Sequence, residues 1–274
     1  MRINEYPSIR VVDGEQCLVV DGETGTKSIK ASDLLFALES LQKPGITHRN
    51  TFRGKSLGSA VTSAQWAAIA NETFDDLWLG DYWTIGGINW RIADFNYWLR
   101  CGDQDFTTPH LVIVPDTALY TSKMNESNTT AGGYVGSLMY TSGLGAAKTT
   151  IGNAFGSSHV LTHREYLTNA VTNGKPSGGA WVDSTVELMT ESMVYGHPHF
   201  SPTSDGSTVP TIHTVDKLQL ALFQVAPEFV NIRADYWLRD VVSDKQFVAP
   251  ADLGGPWTAS AHVNQGVRPC FAIG

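Results

Sequence analysis

Cysteine is scarce in this sequence and shows no pairing pattern. Cys17, Cys101 and Cys270 make three, an odd number with no CxxC spacing, which argues against both a disulfide framework and a structural zinc site. Long apolar runs are also missing. None approaches the roughly 18 residues that a membrane-spanning helix needs, and Met1–Pro7 has no apolar signal core. The expectation is a chain made in a reducing cytoplasm, without membrane insertion. Charge is low at 17%, and the 19 basic against 27 acidic residues give a net −8. A negative chain repels phosphate backbones, so nucleic acid is not an expected partner.

Apolar residues make up 42% of the chain, with eight Trp, nine Tyr and eleven Phe beside 26 Gly. Large rings and permissive backbone together suit a loop-rich β fold more than a helix bundle. Residues 1–45 read as a small N-terminal unit of hairpin and helix. Ile9–Gly22 gives two short strands closed by Asp-Gly turns, and Gly25–Lys30 continues extended. Ser32 then caps a helix over 33–41 with Leu34, Leu35, Leu38 and Leu41 on one face, and Lys43-Pro44-Gly45 stops it. So small a unit buries little alone. Its apolar face, Leu34, Leu38 and Leu41 above all, either docks on a partner and self-associates or packs on the rest of this chain.

Residues 46–58 read as a linker and 59–274 as one large domain. Thr62 or Ser63 caps a helix through Gln65–Ala70. Asp81–Phe95 is a hairpin around Gly86-Gly87 with Trp83, Ile85, Ile88, Trp90 and Ile92 in alternation, and His110–Pro115 is a buried strand. Residues 134–140, 148–155 and 184–195 have helical spacing, the last with Val186, Met189 and Met193 on one side. Residues 197–213 read as a surface loop. Strands return at 236–239, 245–249 and 266–273. The segment Tyr97-Trp-Leu-Arg100 recurs as Tyr236-Trp-Leu-Arg239, read as one local need met twice: apolar side chains inward, arginine outward.

These last strands carry a family resemblance. Tyr236–Arg239, Phe247-Val248, a Gly-rich loop through Trp257 and the closing Gly266-Val-Arg-Pro269 resemble the end of phage-encoded C-type-lectin-like domains. Phe52–Gly58, Gly80–Trp83 and Asn125–Tyr134 are similar to tail and head proteins of phages and prophages of Gram-positive bacteria. The likeness spans roughly residues 50 to 274. It implies an α+β fold with a twisted antiparallel sheet, flanking helices and a long middle insertion. The strands near Trp90 and Trp237 and the closing strand at Val267 are expected in a single sheet. The implied function is a virion appendage, of tail-fibre or tail-tip type, assembled in the host cytoplasm and recognising a host-surface glycan or protein without catalysis. Its partners would be other virion proteins and copies of itself, a trimer being favoured. A head fibre or capsid decoration protein is the near alternative, and a cell-surface polysaccharide hydrolase the alternative of another class. The same fold houses formylglycine-generating enzymes, whose chemistry needs a close cysteine pair. Cys270 has no such neighbour and reads as a core residue.

No catalytic, metal or cofactor site is expected from the remaining motifs. Gly143–Thr150 lacks the glycine that a phosphate loop places before its lysine, here Lys148. His159 and His163 align only on a helix, and the glutamate of HExxH is missing. His197 and His199 flank Pro198 on extended backbone, which sends them to opposite faces; His213 and Asp205 are further metal candidates. No Gly-x-Ser-x-Gly elbow occurs. Asp75, Asp76, Asp103, Asp105, Glu187 and Glu191 are the carboxylates available for glycoside chemistry, and Glu187 with Glu191 reads as one solvated helical face. The candidate ligand loop is 249–265, where Trp257 offers a stacking ring with Ser260, His262 and Asn264 as hydrogen-bonding groups. The competing reading, weighed the heavier, puts Trp257 in the core.

Overall fold

The computed structural model describes residues 17–22, 25–30, 46–201 and 218–274. The chain divides into two compact units between Thr47 and His48. In the first, β1 (Cys17–Gly22) pairs antiparallel with β2 (Gly25–Lys30), so the second Asp-Gly pair sits at the hairpin end. The helix expected over 33–41, with Leu34, Leu35, Leu38 and Leu41, lies outside the described residues, as do Asp205, His213 and most of the 197–213 loop.

The second unit is mixed α+β, with several small antiparallel sheets and no closed barrel. Its helices are short. After α1 (Ile46–Asn50), the stretch read as a linker over 46–58 is hydrogen-bonded to the body. Arg53 N–H donates to Leu79 O and Leu57 N–H to Tyr82 O. In α2 (Ser63–Ala70) the Thr62 side chain accepts from Gln65 N–H while the Gln65 side chain reaches back, a capping box that satisfies two orphan donors.

The largest sheet has five strands in the order β3–β4–β5–β13–β9. These are β3 (Tyr82–Ile85), β4 (Ile88–Phe95), β5 (Leu111–Pro115), β9 (Val186–Leu188) and β13 (Pro269–Ile273). The hairpin β3–β4 pairs Trp83 with Trp90 and Ile85 with Ile88, as their alternation requires. The register of β4 on β5 shifts between Ile92 and Asp94. At this irregularity Asp94 lies buried and accepts from Arg49 Nε at 2.5 Å, Phe95 N–H at 2.7 Å and Ala221 N–H at 3.0 Å. That last donor opens α5 (Ala221–Val225).

Among the described residues there are also four two-stranded ladders, one being β1–β2 of the first unit. The second joins β6 (Tyr120–Ser122) to β12 (Gln265–Val267), and the third β10 (Gln246–Val248) to β11 (Thr258–Ser260). The fourth is the long hairpin of β7 (His163–Thr172) and β8 (Lys175–Ser184). The closing segment therefore spans two sheets, changing partner at Arg268. Trp237 N–H donates to Gly266 O at 2.8 Å beside the smaller ladder. Trp90 thus lies in the five-stranded sheet and Trp237 in none: Tyr236 makes only an isolated bridge to Gly266, so neither the single sheet nor the strand expected at 236–239 forms.

Residues 184–195 also depart from the expected helix. Instead of one helix, β9 inserts against Pro269–Phe271, and only α4 (Glu191–Tyr195) is helical. Val186, Leu188, Met189, Met193 and Val194 are all buried. A segment covered on every side has no polar face, so its helical spacing carried no information. The 134–140 stretch likewise forms turns leading into a π-helical turn at Met139–Gly143. The expectation for 148–155 agrees with α3 (Gly145–Phe155).

Aromatic rings seat α3 on the sheet. Phe155 meets Trp90 and Phe271 edge-on at 5.7 and 5.4 Å, and Trp90 meets Phe271 at 5.7 Å. Edge-to-face pairs contribute beyond the area they bury. Phe271→Ala is therefore expected to cost about 3–5 kcal/mol in urea unfolding, whereas truncating an exposed side chain such as Trp257 shifts stability by no more than about 0.5 kcal/mol.

Candidate functional site

The larger unit holds a polar cluster in its interior and presents a loop on its surface. The cluster draws on segments far apart in sequence. Strand β7 supplies His163 and Glu165 on one face, two residues apart. Strands β8 and β9 supply Ser184 and Glu187, Tyr134 comes from the middle turns, and Arg239 follows Trp237. His163, Glu165, Glu187 and Arg239 are all at most 4% exposed. Glu165 accepts from His163 Nε2 at 2.7 Å through one oxygen and from Arg239 Nη1 through the other. Glu187 accepts from Tyr134 Oη at 2.7 Å and from Ser184 Oγ at 3.1 Å.

The two glutamates sit at opposite ends of the carboxyl range. Burial pushes Glu165 up, but the adjoining Arg239 charge and His163 outweigh it and hold the carboxyl at about 2. Burial also pushes Glu187 up, the Glu165 charge adds to it, and the Tyr134 bond opposes only in part. The result is about 7. Cys270 in β13 is buried and unpaired, and burial raises its thiol well above the usual range. Trp98 lies 4.0 Å from the His163 ring and about 6 Å from His110. His110 Nε2 accepts from Trp98 N–H and Nδ1 faces Thr108 O, which defines a neutral ring. Burial lowers its pKa to about 3.

Several expectations from sequence change here. Glu187 and Glu191 share no solvated face: Glu187 is in the cluster, and buried Glu191 accepts from Phe200 N–H, Ser201 N–H and Ser201 Oγ. His159 ends a 3-10 turn while His163 opens β7, so the helical alignment does not arise. His197 and His199 do not diverge; their rings stand 4.2 Å apart on the surface. The Tyr-Trp-Leu-Arg echo splits at its arginine, for Arg100 is exposed and Arg239 is 1% exposed. Arg268 is fully buried too, its Nε donating to Pro115 O and its guanidinium between the Phe223 and Tyr236 rings at 5.4 and 5.2 Å. Among the described residues, no three His, Cys, Asp or Glu side chains are placed to hold a metal ion.

The surface loop follows β10. Trp257, weighed as core from sequence, is 59% exposed, and Leu253 is 74% exposed. The backbone beneath them is tied down. Ala249 N–H donates to Trp257 O, Ala251 N–H to Gly255 O, and Tyr195 Oη to Gly254 O at 3.0 Å. Gly254 has φ +82° and backs onto Asn231, whose Cβ would stand 3.0 Å from an added Cβ, so only glycine fits that turn. The other three candidate residues follow along the chain. Strand β11 carries the chain roughly 10 Å from Trp257 to Ser260. Ser260 is half-buried, and exposed His262 and Asn264 lie beyond it, where Ala261 N–H donates to Lys245 O.

No family model matches the chain, and neither does any curated protein or solved structure.

The cluster generates a pH prediction. Glu187 moves from 4.5 to about 7 on folding, so between those values the native chain keeps a proton that the unfolded chain has lost. Its contribution to stability is full below about pH 4.5 and is lost as pH rises through about 7. Glu187→Gln keeps an acceptor for Tyr134 and removes the titration. In urea melts the variant should match the parent near pH 5 and exceed it by roughly 2–3 kcal/mol near pH 8. Parallel profiles would show Glu187 ionised throughout.

Proposed function

We propose that this chain is a phage virion appendage protein, of tail-fibre or tail-tip kind, that contacts a host surface through loops and does no chemistry on it. The carrying observation is the Trp257 loop. A large ring and a leucine stand in solvent on backbone that is hydrogen-bonded at both ends and pinned in the middle. An amphipathic ring presented on a rigid base binds with little loss of conformational entropy, which is what a recognition surface needs. Glu165, Glu187 and Arg239 in the interior, by contrast, are hydrogen-bonded within the chain and covered.

We read the larger unit as C-type-lectin-like. The support is its closing Gly266-Val-Arg-Pro269 segment, which threads from a small ladder into the middle of an antiparallel sheet, with loops carried beyond the strands. Assembly into a trimer would fall to the segment bearing Leu34, Leu38 and Leu41.

Immunogold electron microscopy tests the assignment, using antiserum to the full chain on phage particles released by the source strain. Gold at the tail tip is the expected result. Gold over the head would move the protein to a head fibre or decoration role, and unlabelled particles would end the virion reading. On purified chain, Trp257→Ala should reduce adhesion to host cells about tenfold or more without shifting the thermal midpoint.

A further inference from the structure

A surface groove of about 530 Å³ runs between the tip of the β7–β8 hairpin, the loop at 129–131 and the turn at 242–244. Its size falls within the range of small-molecule sites, roughly 300–1,000 Å³. The walls are fixed by bonds that precede any ligand. Thr130 N–H donates to Asp244 O at 3.0 Å and Thr130 Oγ1 to Ser243 O at 2.7 Å. The hairpin tip turns through Asn173 and Gly174, both at positive φ. Gly174 packs so closely on the turn that an added Cβ would meet Asp244 N at 3.1 Å. A groove assembled this way loses little freedom when filled.

Three polar side chains at its rim are unengaged among the described residues. Asn173, Lys175 and Asp244 are exposed, and none of the three side chains makes a hydrogen bond or ion pair with another described residue. Lys175 and Asp244 are not paired with each other, although both line the same groove. Together they supply one cationic donor, one anionic acceptor and one carboxamide that does both. Val171 and Val242 add two small apolar surfaces.

We infer that this groove binds a neutral saccharide. One positive and one negative group cancel, so the rim selects neither a simple anion nor a simple cation. Polyanions are further disfavoured by the net charge of −8. Among the described residues no aromatic ring lines the groove, which removes the platform a flat apolar ligand would use. A sugar ring matches what remains. Its hydroxyls both donate and accept, meeting Asp244, Lys175 and Asn173, and its C–H face meets the valines. The inference gives the recognition reading a ligand class and rests on it for biological setting, whereas sugar binding itself is tested apart from the virion.

Saturation-transfer NMR on the full chain, with methyl glycosides of glucose, galactose, N-acetylglucosamine and rhamnose at millimolar concentration, provides that test. At least one glycoside should receive saturation, with a millimolar dissociation constant. Asp244→Ala and Lys175→Met should each weaken it about tenfold, while Val225→Ala, at an exposed position outside the groove lining, leaves it unchanged. Both groove substitutions replace exposed side chains, and unaltered thermal melting confirms that the fold is kept. Three outcomes would overturn the inference: no transfer to any glycoside, transfer that survives both groove substitutions, or transfer to free glycine or alanine in place of the sugars. Loss of sugar binding in Trp257→Ala alone would move the saccharide to that loop. Unlabelled virions with intact sugar binding would instead remove the phage assignment and keep the groove.

Discussion

Arg239 and Glu165 impose the constraint on which the larger unit is built. A guanidinium with 1% exposure has left water almost completely, and that transfer is tolerable only where a counter-charge and further hydrogen bonds wait. Glu165 provides the charge, and His163 fills its other oxygen. Such a pair adds little net stability compared with well-packed apolar residues, but its geometry admits few alternatives. For both charges to be met, β7 must lie beside the segment after Trp237. Glu187, two strands away in sequence, must then accept a like charge nearby, which it does by holding its proton toward neutral pH.

The main sheet obeys a second, non-local constraint. Strands β3, β4 and β5 form a meander whose neighbours are close in sequence, but β9 reaches the sheet only through β13. The closing strand pairs on one edge with Leu111–Ile113 and on the other with Val186–Leu188, so the sheet stays divided until those last residues are seated. Arg268 sits where the chain passes from one ladder to the other. Its burial against two rings, with one backbone acceptor, fixes that crossing by cation–π contact, no carboxylate being paired with it among the described residues.

What could be read from sequence follows the range of the interaction. The cap at Thr62 or Ser63, the Trp83–Trp90 hairpin and the helix ending at Phe155 depend on neighbours within about a dozen residues, the strand at 111–115 announced itself by its own apolar run, and all were legible. The 163–184 hairpin was missed although it carried a signal, since Asn173-Gly174 is the dipeptide that tight hairpin turns require. Gly178 and Gly179 thin the alternation on its second strand. Arg239 and Glu187 were misplaced for a different reason. A rule that sends charged residues outward holds until a partner arrives from elsewhere, and Glu165 stands 74 residues from Arg239. Trp257 erred in the opposite sense, because apolarity says a ring gains by burial and not whether the backbone lets it turn inward.

That last error joins the two halves of the molecule. Burying a ring of Trp257's size would contribute a few kcal/mol, yet the loop keeps it in solvent. The tie from Tyr195 Oη to Gly254 O and the closure of Ala249 on Trp257 hold the backbone that carries it. The interior shows the converse, with charges that water would solvate well placed where water does not reach. Local preference is overridden in both places, and the costs differ in kind. The buried charges are compensated inside the chain by Glu165, His163 and Tyr134. The exposed ring has no such compensation within the described residues.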